Sequence, residues 1–188
     1  KGARPLRWMG MCSAVFIADY YYVQPDITPH QMMGGIILII LLTVIWELFS
    51  DKENSGQNIS ATLAGILFVP VLLGTAIDIR QFDMVMGTQL TLATVLSVWA
   101  CDSAAFIFGT KFGTAKIFPR VSPKKSWVGS IAGMIASLGV FHLFYYQGWL
   151  GDYFSVRDAV VFGVITGVFG QIGDFAESLL KRDADVKD

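Results

Sequence analysis

Six runs of apolar residues, separated by short polar segments, dominate the hydrophobic pattern of the sequence. A helix of about 20 apolar residues crosses the roughly 30 Å hydrocarbon core of a bilayer, and most of the runs reach that length. The pattern therefore predicts an all-α, polytopic membrane protein with about six transmembrane helices. The first run is the shortest, and Pro70 is expected to kink the third. The runs cover residues 8–23, 32–49, 59–77, 84–108, 127–146 and 159–180.

The basic residues are unequally distributed among the polar segments that flank these runs. Twelve of the 14 Lys and Arg residues fall in alternate segments that would share one side of the membrane. Short loops rich in Lys and Arg remain in the cytoplasm. With six spans, the sequence therefore predicts that both ends are cytoplasmic.

The composition excludes several classes of protein. Hydrophobic residues make up 54% of the chain and charged residues only 15%, whereas a soluble domain has about 25% charged residues. The composition argues against a disordered chain, a disulfide scaffold and a basic nucleic-acid-binding protein. The two cysteines, Cys12 and Cys101, form no CxxC motif, so apolar packing is their expected role.

Ionisable residues inside apolar runs usually face the protein interior or water. Asp102 lies about two turns inside the fourth run, so a functional role is favoured for it. Glu47 lies one turn from the end of its run and is interpreted as a snorkelling or capping acid. Asp19 precedes three tyrosines, which is typical of a membrane interface.

The end of the sixth run carries a polar stripe. Asp174, Glu177, Ser178 and Lys181 are spaced i, i+3, i+4 and i+7, so they share one face of a helix. Two carboxylates one turn apart suit Mg²⁺, which binds oxygen ligands. An ordinary helix end that emerges from the membrane into the cytosol would explain the same polar residues. The spacing alone leaves both interpretations open.

The segment 109–126 between the fourth and fifth runs carries five basic residues. It ends with Ser122-Pro123-Lys124-Lys125-Ser126 just before a predicted helix, and lysines beside a helix N-terminus are suited to phosphate. The general bias of cytoplasmic loops toward positive charge explains most of the charge count, but it does not explain this compact motif. We therefore expect carboxylates from two helices to hold a divalent metal, with the basic loop holding a polyphosphate.

Three blocks in the second half of the chain, in the same order, resemble the membrane-embedded phosphatidate cytidylyltransferases, also called CDP-diacylglycerol synthases. The resemblance covers roughly residues 99–188. The blocks are Trp99-x-x-Asp102-Ser103, Ser122-Pro123-x-Lys125-Ser126, and Gly173-Asp174-x-x-Glu177-Ser178 followed by Lys181-Arg182 and Lys187-Asp188.

The resemblance implies metal-dependent transfer of a cytidylyl group from CTP to phosphatidic acid, which gives CDP-diacylglycerol and pyrophosphate. Position by position, it implies catalytic roles for Asp174, Lys125 and Asp102. It implies a Mg²⁺ site at Asp174, Glu177 and Asp102, and leaves a second cation open. The residues implied in substrate binding are Ser122, Lys124, Lys125, Ser126, Ser178, Lys181, Arg182 and Lys187.

The resemblance also implies an organisation and a location. Residues 1–98 would form N-terminal transmembrane helices, and residues 99–188 the catalytic region. The site would face the cytoplasm from a bacterial inner membrane, where CTP and the lipid head group meet. Membrane lipid is an implied partner, a homodimer is a family expectation, and nucleic acid is not an expected partner.

Two departures from the family pattern are visible. Val128 occupies a position that is usually acidic in the family. The family pattern also continues past Lys187-Asp188 with carboxylates that complete the metal site, so we expect the 188 residues to be part of a longer protein. The alternatives are a related CTP-using membrane enzyme, either a CDP-archaeol synthase or a CTP-dependent polyprenol kinase, and a membrane transporter subunit.

Overall fold

The computed structural model describes residues 4–23, 29–50 and 54–183. Within these ranges the chain is helical and its only β-type pairing is one isolated bridge, so the predicted all-α class is confirmed. The helices are α1 (Arg7–Val23), α2 (Pro29–Leu48), α3 (Ser55–Ile66), α4 (Leu72–Gln81), α5 (Met86–Phe112), α6 (Trp127–Tyr146) and α7 (Val156–Asp183).

Four helical stretches among the described residues are long and apolar enough to cross a membrane. They are Ser55–Gln81, Met86–Phe112, Trp127–Tyr146 and Val156–Arg182. The apolar part of α2, Met33–Leu48, is shorter. The structure therefore supports a membrane protein, while the expected count of six spans and the cytoplasmic position of both ends stay predictions.

The predicted kink at Pro70 coincides with a π-helical turn. Leu67–Val71 joins α3 to α4 without a break in the helical path. Proline lacks the N–H group that a regular turn needs and clashes with the carbonyl of the preceding turn. A wider π turn relieves this conflict, so the third apolar run stays one continuous helical stretch.

The chain divides into two compact units, Lys1–Phe82 and Asp83–Asp188. The predicted functional division after residue 98 concerns activity and not compactness, and it stays a prediction.

In the first unit, Glu47 is only 2% exposed, and its Oε1 accepts a 2.6 Å hydrogen bond from Nδ2 of Asn58. The interpretation of Glu47 as a snorkelling acid is therefore wrong, because a polar partner on a different helix retains its side chain in the interior.

In the second unit, α5, α6 and α7 pack against one another, and small residues allow α5 and α6 to approach closely. A Cβ atom built on Gly129 of α6 would lie 2.6 Å from the carbonyl oxygen of Ala105 and 3.1 Å from the Cα of Gly109, both on α5. Only glycine fits at such a contact. The close approach matters for function because Gly109 and Gly129 lie beside the loop that carries the lysines.

Aspartate side chains accept hydrogen bonds at the N-termini of α5 and α7. Oδ1 of Asp83 accepts hydrogen bonds from the N–H groups of Met86 and Val85 at 2.8 and 2.9 Å, and these bonds lower the pKa of the Asp83 carboxyl below its ordinary value. At α7, Asp158 Oδ2 accepts from the Ser155 N–H, and the Asp158 N–H donates to Ser155 Oγ. The reciprocal bonds at α7 fix where that helix begins.

Candidate active site

The second unit contains an open cavity of about 460 Å³ between α5, α6, α7 and the loop that connects α5 to α6. One part of its wall carries carboxylates from α5 and α7, and another part carries lysines from the loop. The charged and polar residues that line it include Asp102, Lys116, Lys124, Lys125, Gln171 and Asp174. The cavity thus offers oxygen ligands for a cation next to ammonium groups for an anion.

The two carboxylates come from different helices. Asp102 lies in α5 and is exposed, and the Asp174 side chain in α7 is 46% exposed. Both line the cavity, so neither is committed to the packing between helices. Asp102 and Asp174 thus line one cavity from two helices, and a metal site shared by these carboxylates stays a prediction.

Lys125 is held in place from two sides. Its Nζ forms an ion pair with Oδ2 of Asp174, and the same Nζ lies 4.1 Å from the centroid of the Phe175 ring, a cation–π contact. Phe118 packs edge-on against Phe175, with centroids 5.2 Å apart. The ammonium group is therefore fixed at the edge of the carboxylate pair.

Backbone pairing fixes the shape of the lysine loop. The Ile117 N–H donates to the Lys125 carbonyl, and the Trp127 N–H donates to the Ala115 carbonyl. Ser126 is the N-cap of α6, and its Oγ accepts from the Gly129 N–H at 3.3 Å. These bonds hold the two ends of the loop together, so the lysines project from a closed turn.

The end of α7 also contacts this loop. Nε of Arg182 donates a 2.6 Å hydrogen bond to the carbonyl oxygen of Val121. Ser122, the next residue, is only 7% exposed. Arg182 was expected to bind substrate, but in the structure its Nε atom is bonded to the backbone just before Lys124 and Lys125.

Ser126 also lines the cavity, whereas Ser122, Glu177, Ser178, Lys181 and Arg182 are not among its lining residues. Glu177 pairs with Lys181, with 2.5 Å between Oε1 and Nζ, and both side chains are at least half exposed. Ser178 is buried, and Lys187 lies outside the described residues. Of the predicted metal ligands, Asp102 and Asp174 therefore line the cavity, whereas Glu177 forms an ion pair with Lys181 on the same helix.

Two cavity residues were missed by the sequence analysis. Lys116 was counted only as a loop cation, yet its side chain lines the cavity, and its Nζ donates to the Gly113 carbonyl at 3.2 Å. Gln171 was not singled out, although it is a polar residue in an apolar run one turn before Asp174. That position was the one signal in the sequence that could have identified it.

The donor set can be compared with what Mg²⁺ requires. Mg²⁺ usually binds through one or two carboxylates, substrate phosphates and several waters. Asp102 and Asp174 with the adjacent lysines fit that description. Among the described residues, no three His, Cys, Asp or Glu side chains form a metal-binding group.

Comparison with known proteins identifies relatives of this chain. A profile of the Cytidylyltransferase family matches residues 1–188. The chain is 35% identical over 158 residues to the phosphatidate cytidylyltransferase of Haemophilus influenzae, covering 82% of this chain and 54% of that protein. The corresponding protein of Bacillus subtilis is 33% identical over 186 residues, covering 97% of this chain and 65% of that protein.

A third relative, the phosphatidate cytidylyltransferase of Thermotoga maritima, is 31% identical over 182 residues. The match covers 93% of this chain and 65% of that protein. The chain thus spans between about half and two thirds of the length of these relatives.

Proposed function

Because this chain belongs to the Cytidylyltransferase family, we propose that the protein transfers a cytidylyl group from CTP to phosphatidic acid. The products are CDP-diacylglycerol and pyrophosphate. The observation that carries the proposal is that Asp102, Asp174, Lys124 and Lys125 line one cavity. The relatives that carry the name phosphatidate cytidylyltransferase support the choice of substrates.

The lysines bind the triphosphate in this proposal. Lys116, Lys124 and Lys125 line the cavity and neutralise the phosphate oxygens of CTP, including those of the departing pyrophosphate. Charge neutralisation and positioning supply most of the catalysis in phosphoryl chemistry. The ion pair between Lys125 and Asp174 keeps this ammonium in place before the nucleotide binds.

The two carboxylates hold the metal. Asp102 and Asp174 are the ligands that we assign to Mg²⁺, and when bound the ion supplies charge stabilisation to the reacting phosphates. In the structure Glu177 forms an ion pair with Lys181. Its support of the metal site therefore stays a prediction. A second cation likewise stays a prediction.

The acceptor needs no general base from the protein. The second pKa of a phosphate monoester is about 6, so phosphatidic acid already carries an ionised oxygen at neutral pH. That oxygen attacks the α-phosphorus of CTP, and the bond from this phosphorus to the bridging oxygen of the β-phosphate breaks. Pyrophosphate leaves with that oxygen, and no proton has to be removed from the nucleophile.

The location follows from the same proposal. CTP is a cytosolic nucleotide, and the segment that carries Lys124 and Lys125 is among the basic segments of the chain. We infer an integral protein of a bacterial inner membrane with its site facing the cytoplasm and membrane lipid as its acceptor. Roles for Ser178, Lys181 and Lys187 toward the lipid phosphate, and a homodimer, remain part of the proposal.

Product analysis tests this function directly. The intact protein is reconstituted in vesicles that contain phosphatidic acid and supplied with Mg²⁺ and CTP labelled at the α-phosphorus. Label entering the lipid together with release of pyrophosphate supports the proposal. Release of CDP would instead indicate a kinase, and vesicle transport without CTP turnover would indicate a transporter. Either result would reject the proposed reaction.

A further inference from the structure

Gln171 contacts all three helices of the second unit through one side-chain atom. Its Nε2 donates to the carbonyl oxygen of Ser130 in α6 at 3.0 Å and to that of Gly167 in α7 at 2.9 Å. The same atom lies 3.6 Å from Sγ of Cys101 in α5. One atom, Nε2 of Gln171, therefore links α7 to both α5 and α6.

The direction of this carboxamide is fixed by chemistry. A carbonyl oxygen can only accept a hydrogen bond, so the nitrogen of Gln171, and not its oxygen, must face Ser130 and Gly167. An amide nitrogen has two hydrogens, and these two acceptors take both of them. Gln171 consequently has no hydrogen left to donate to a substrate, and its nitrogen is committed to bonds within the protein.

The positions that Gln171 joins are next to the proposed catalytic groups. Cys101 directly precedes Asp102, and Gln171 lies one turn before Asp174. Ser130 is in the first turn of α6, which follows the lysine loop. A change in the position of α7 along α5 and α6 would therefore move Asp174 relative to Asp102.

Close packing of Gly163 and Gly167 on α6 contributes to this position, but a hydrophobic force does not. Lipid tails are as apolar as the helix surfaces, so helices in a membrane lack a hydrophobic force that holds them in one register. A polar bond between helices has a defined length and direction, and breaking it leaves the amide N–H groups of Gln171 without an acceptor. One carboxamide bonded to two helices and touching a third is suited to define the register.

We propose that Gln171 is a positioning residue that sets the separation between the Asp102 and Asp174 carboxylates by fixing α7 against α5 and α6. The inference rests on the proposed function, because the separation matters only if both carboxylates serve the same reaction. Gln171 acts through the two acids and does not itself bind CTP.

The chain offers a matched control on the same pair of helices. Oγ of Ser137 in α6 donates to the carbonyl oxygen of Gly163 in α7 at 2.9 Å and is also hydrogen-bonded to Oγ1 of Thr166 in α7 at 2.7 Å. Ser137 lies about two turns beyond Ser130, and it does not line the cavity. Ser137→Ala therefore removes these bonds between α6 and α7 without touching the proposed site.

The first measurement compares Gln171→Met with Ser137→Ala in the intact protein. Methionine has a similar length but no donor, so it retains the packing and removes the bonds. We expect Gln171→Met to lower kcat by about 10- to 100-fold, which corresponds to the loss of one or two buried hydrogen bonds. The KM for CTP should change by less than about threefold, because the lysine loop is intact. Ser137→Ala should retain nearly all of the kcat.

The second measurement is a double-mutant cycle with Asp102→Asn. If Gln171 acts by placing the carboxylates, then Gln171→Met lowers kcat by less than about threefold once Asp102 is already replaced. Ser137→Ala should show no such dependence on the background. Gln171→Asn, which has an amide that is one methylene too short to reach both carbonyls, serves in the same cycle if the methionine variant unfolds.

Equal effects of the Gln171 variant in both backgrounds would overturn the inference, and so would a loss of kcat in Ser137→Ala as large as in Gln171→Met. A wild-type protein that produces no CDP-diacylglycerol would instead reject the proposed function. The two failures are thus distinguished by the wild-type activity alone.

Discussion

The ammonium group of Lys125 is paired with the carboxylate of Asp174 and lies over the ring of Phe175, the next residue in α7. A loop lysine and a helix carboxylate thus fix each other before any nucleotide is present. When a phosphate enters the cavity, the same ammonium can neutralise it from a position that is already defined. This arrangement reduces the entropy cost of ordering a long side chain at the moment of binding.

Replacing Lys125 with methionine should weaken nucleotide binding. The variant loses a charge-assisted contact to phosphate, worth about 1.5–3 kcal/mol, so the KM for CTP should rise by roughly 10- to 100-fold. Lys111→Met is the control, because Lys111 is exposed and does not line the cavity. Steady-state kinetics at varied CTP check the prediction, and equal KM values in the two variants would contradict it.

The contact between Arg182 and the lysine loop predicts an indirect effect on the KM for CTP. Arg182→Met removes the 2.6 Å bond to the Val121 carbonyl, so the loop that carries Lys124 and Lys125 loses its attachment to α7. The KM for CTP should rise by about 5- to 10-fold, because a half-buried hydrogen bond of this kind contributes about 1 kcal/mol. Arg80→Met in the first unit is the control, and it should leave the KM unchanged. An unaltered KM in Arg182→Met would show that the loop keeps its shape without this bond.

The glycine contact between α5 and α6 predicts a loss of stability. In Gly129→Ala the new methyl group would meet the Ala105 carbonyl at 2.6 Å, so the two helices must separate. Overpacking of this kind costs about 1–3 kcal/mol, and the melting temperature in detergent should fall.

Gly139→Ala is the matched control on the same helix. A Cβ at Gly139 has nothing within 4 Å, and alanine is favoured over glycine in a helix by about 1 kcal/mol. Gly139→Ala should therefore leave the melting temperature equal or higher. A fall of equal size in both variants would mean that close packing of α5 on α6 is not the cause.

The buried acid of the first unit predicts an asymmetry between two substitutions. Oε1 of Glu47 accepts from Asn58, while Oε2 has no hydrogen-bond partner among the described residues. Asn58→Ala removes the donor and leaves the acid buried, which costs about 1–3 kcal/mol. Glu47→Gln retains an acceptor for Asn58 and removes a charge, so it should cost less. Thermal unfolding of both variants measures their loss of stability. A larger loss of stability in Glu47→Gln than in Asn58→Ala would contradict the prediction.

The helices were predictable from the sequence because each apolar run is long compared with the segments between them. The position of Asp102 and Asp174 at one cavity was also predictable, since both acids lie toward the ends of their runs nearest the basic loop and a segment of only 14 residues (113–126) joins α5 to α6. In contrast, helical spacing placed Glu177 with Asp174 on one face, but it could not decide between a shared ligand and the i,i+4 pair that Glu177 forms with Lys181.

Contacts between distant helices were not predictable. Glu47 was interpreted as an acid that reaches toward water, because its partner Asn58 belongs to another helix and helical periodicity carries no information about that neighbour. Gln171 was overlooked for the same reason, since its acceptors on Ser130 and Gly167 are backbone carbonyls. Backbone acceptors are present at every residue, so sequence gives no sign of which of them a side chain will reach.

In the proposed reaction, Asp102 and Asp174 act together on one metal-bound nucleotide. The most direct test measures pyrophosphate release from CTP and phosphatidic acid by the intact protein and by three variants, Asp102→Asn, Asp174→Asn and Asp152→Asn. Asp152 is an exposed acid in the turn between α6 and α7 and does not line the cavity. The account predicts losses of about 100-fold or more in the first two variants and near wild-type rates in Asp152→Asn. Near wild-type rates in either cavity variant would contradict it.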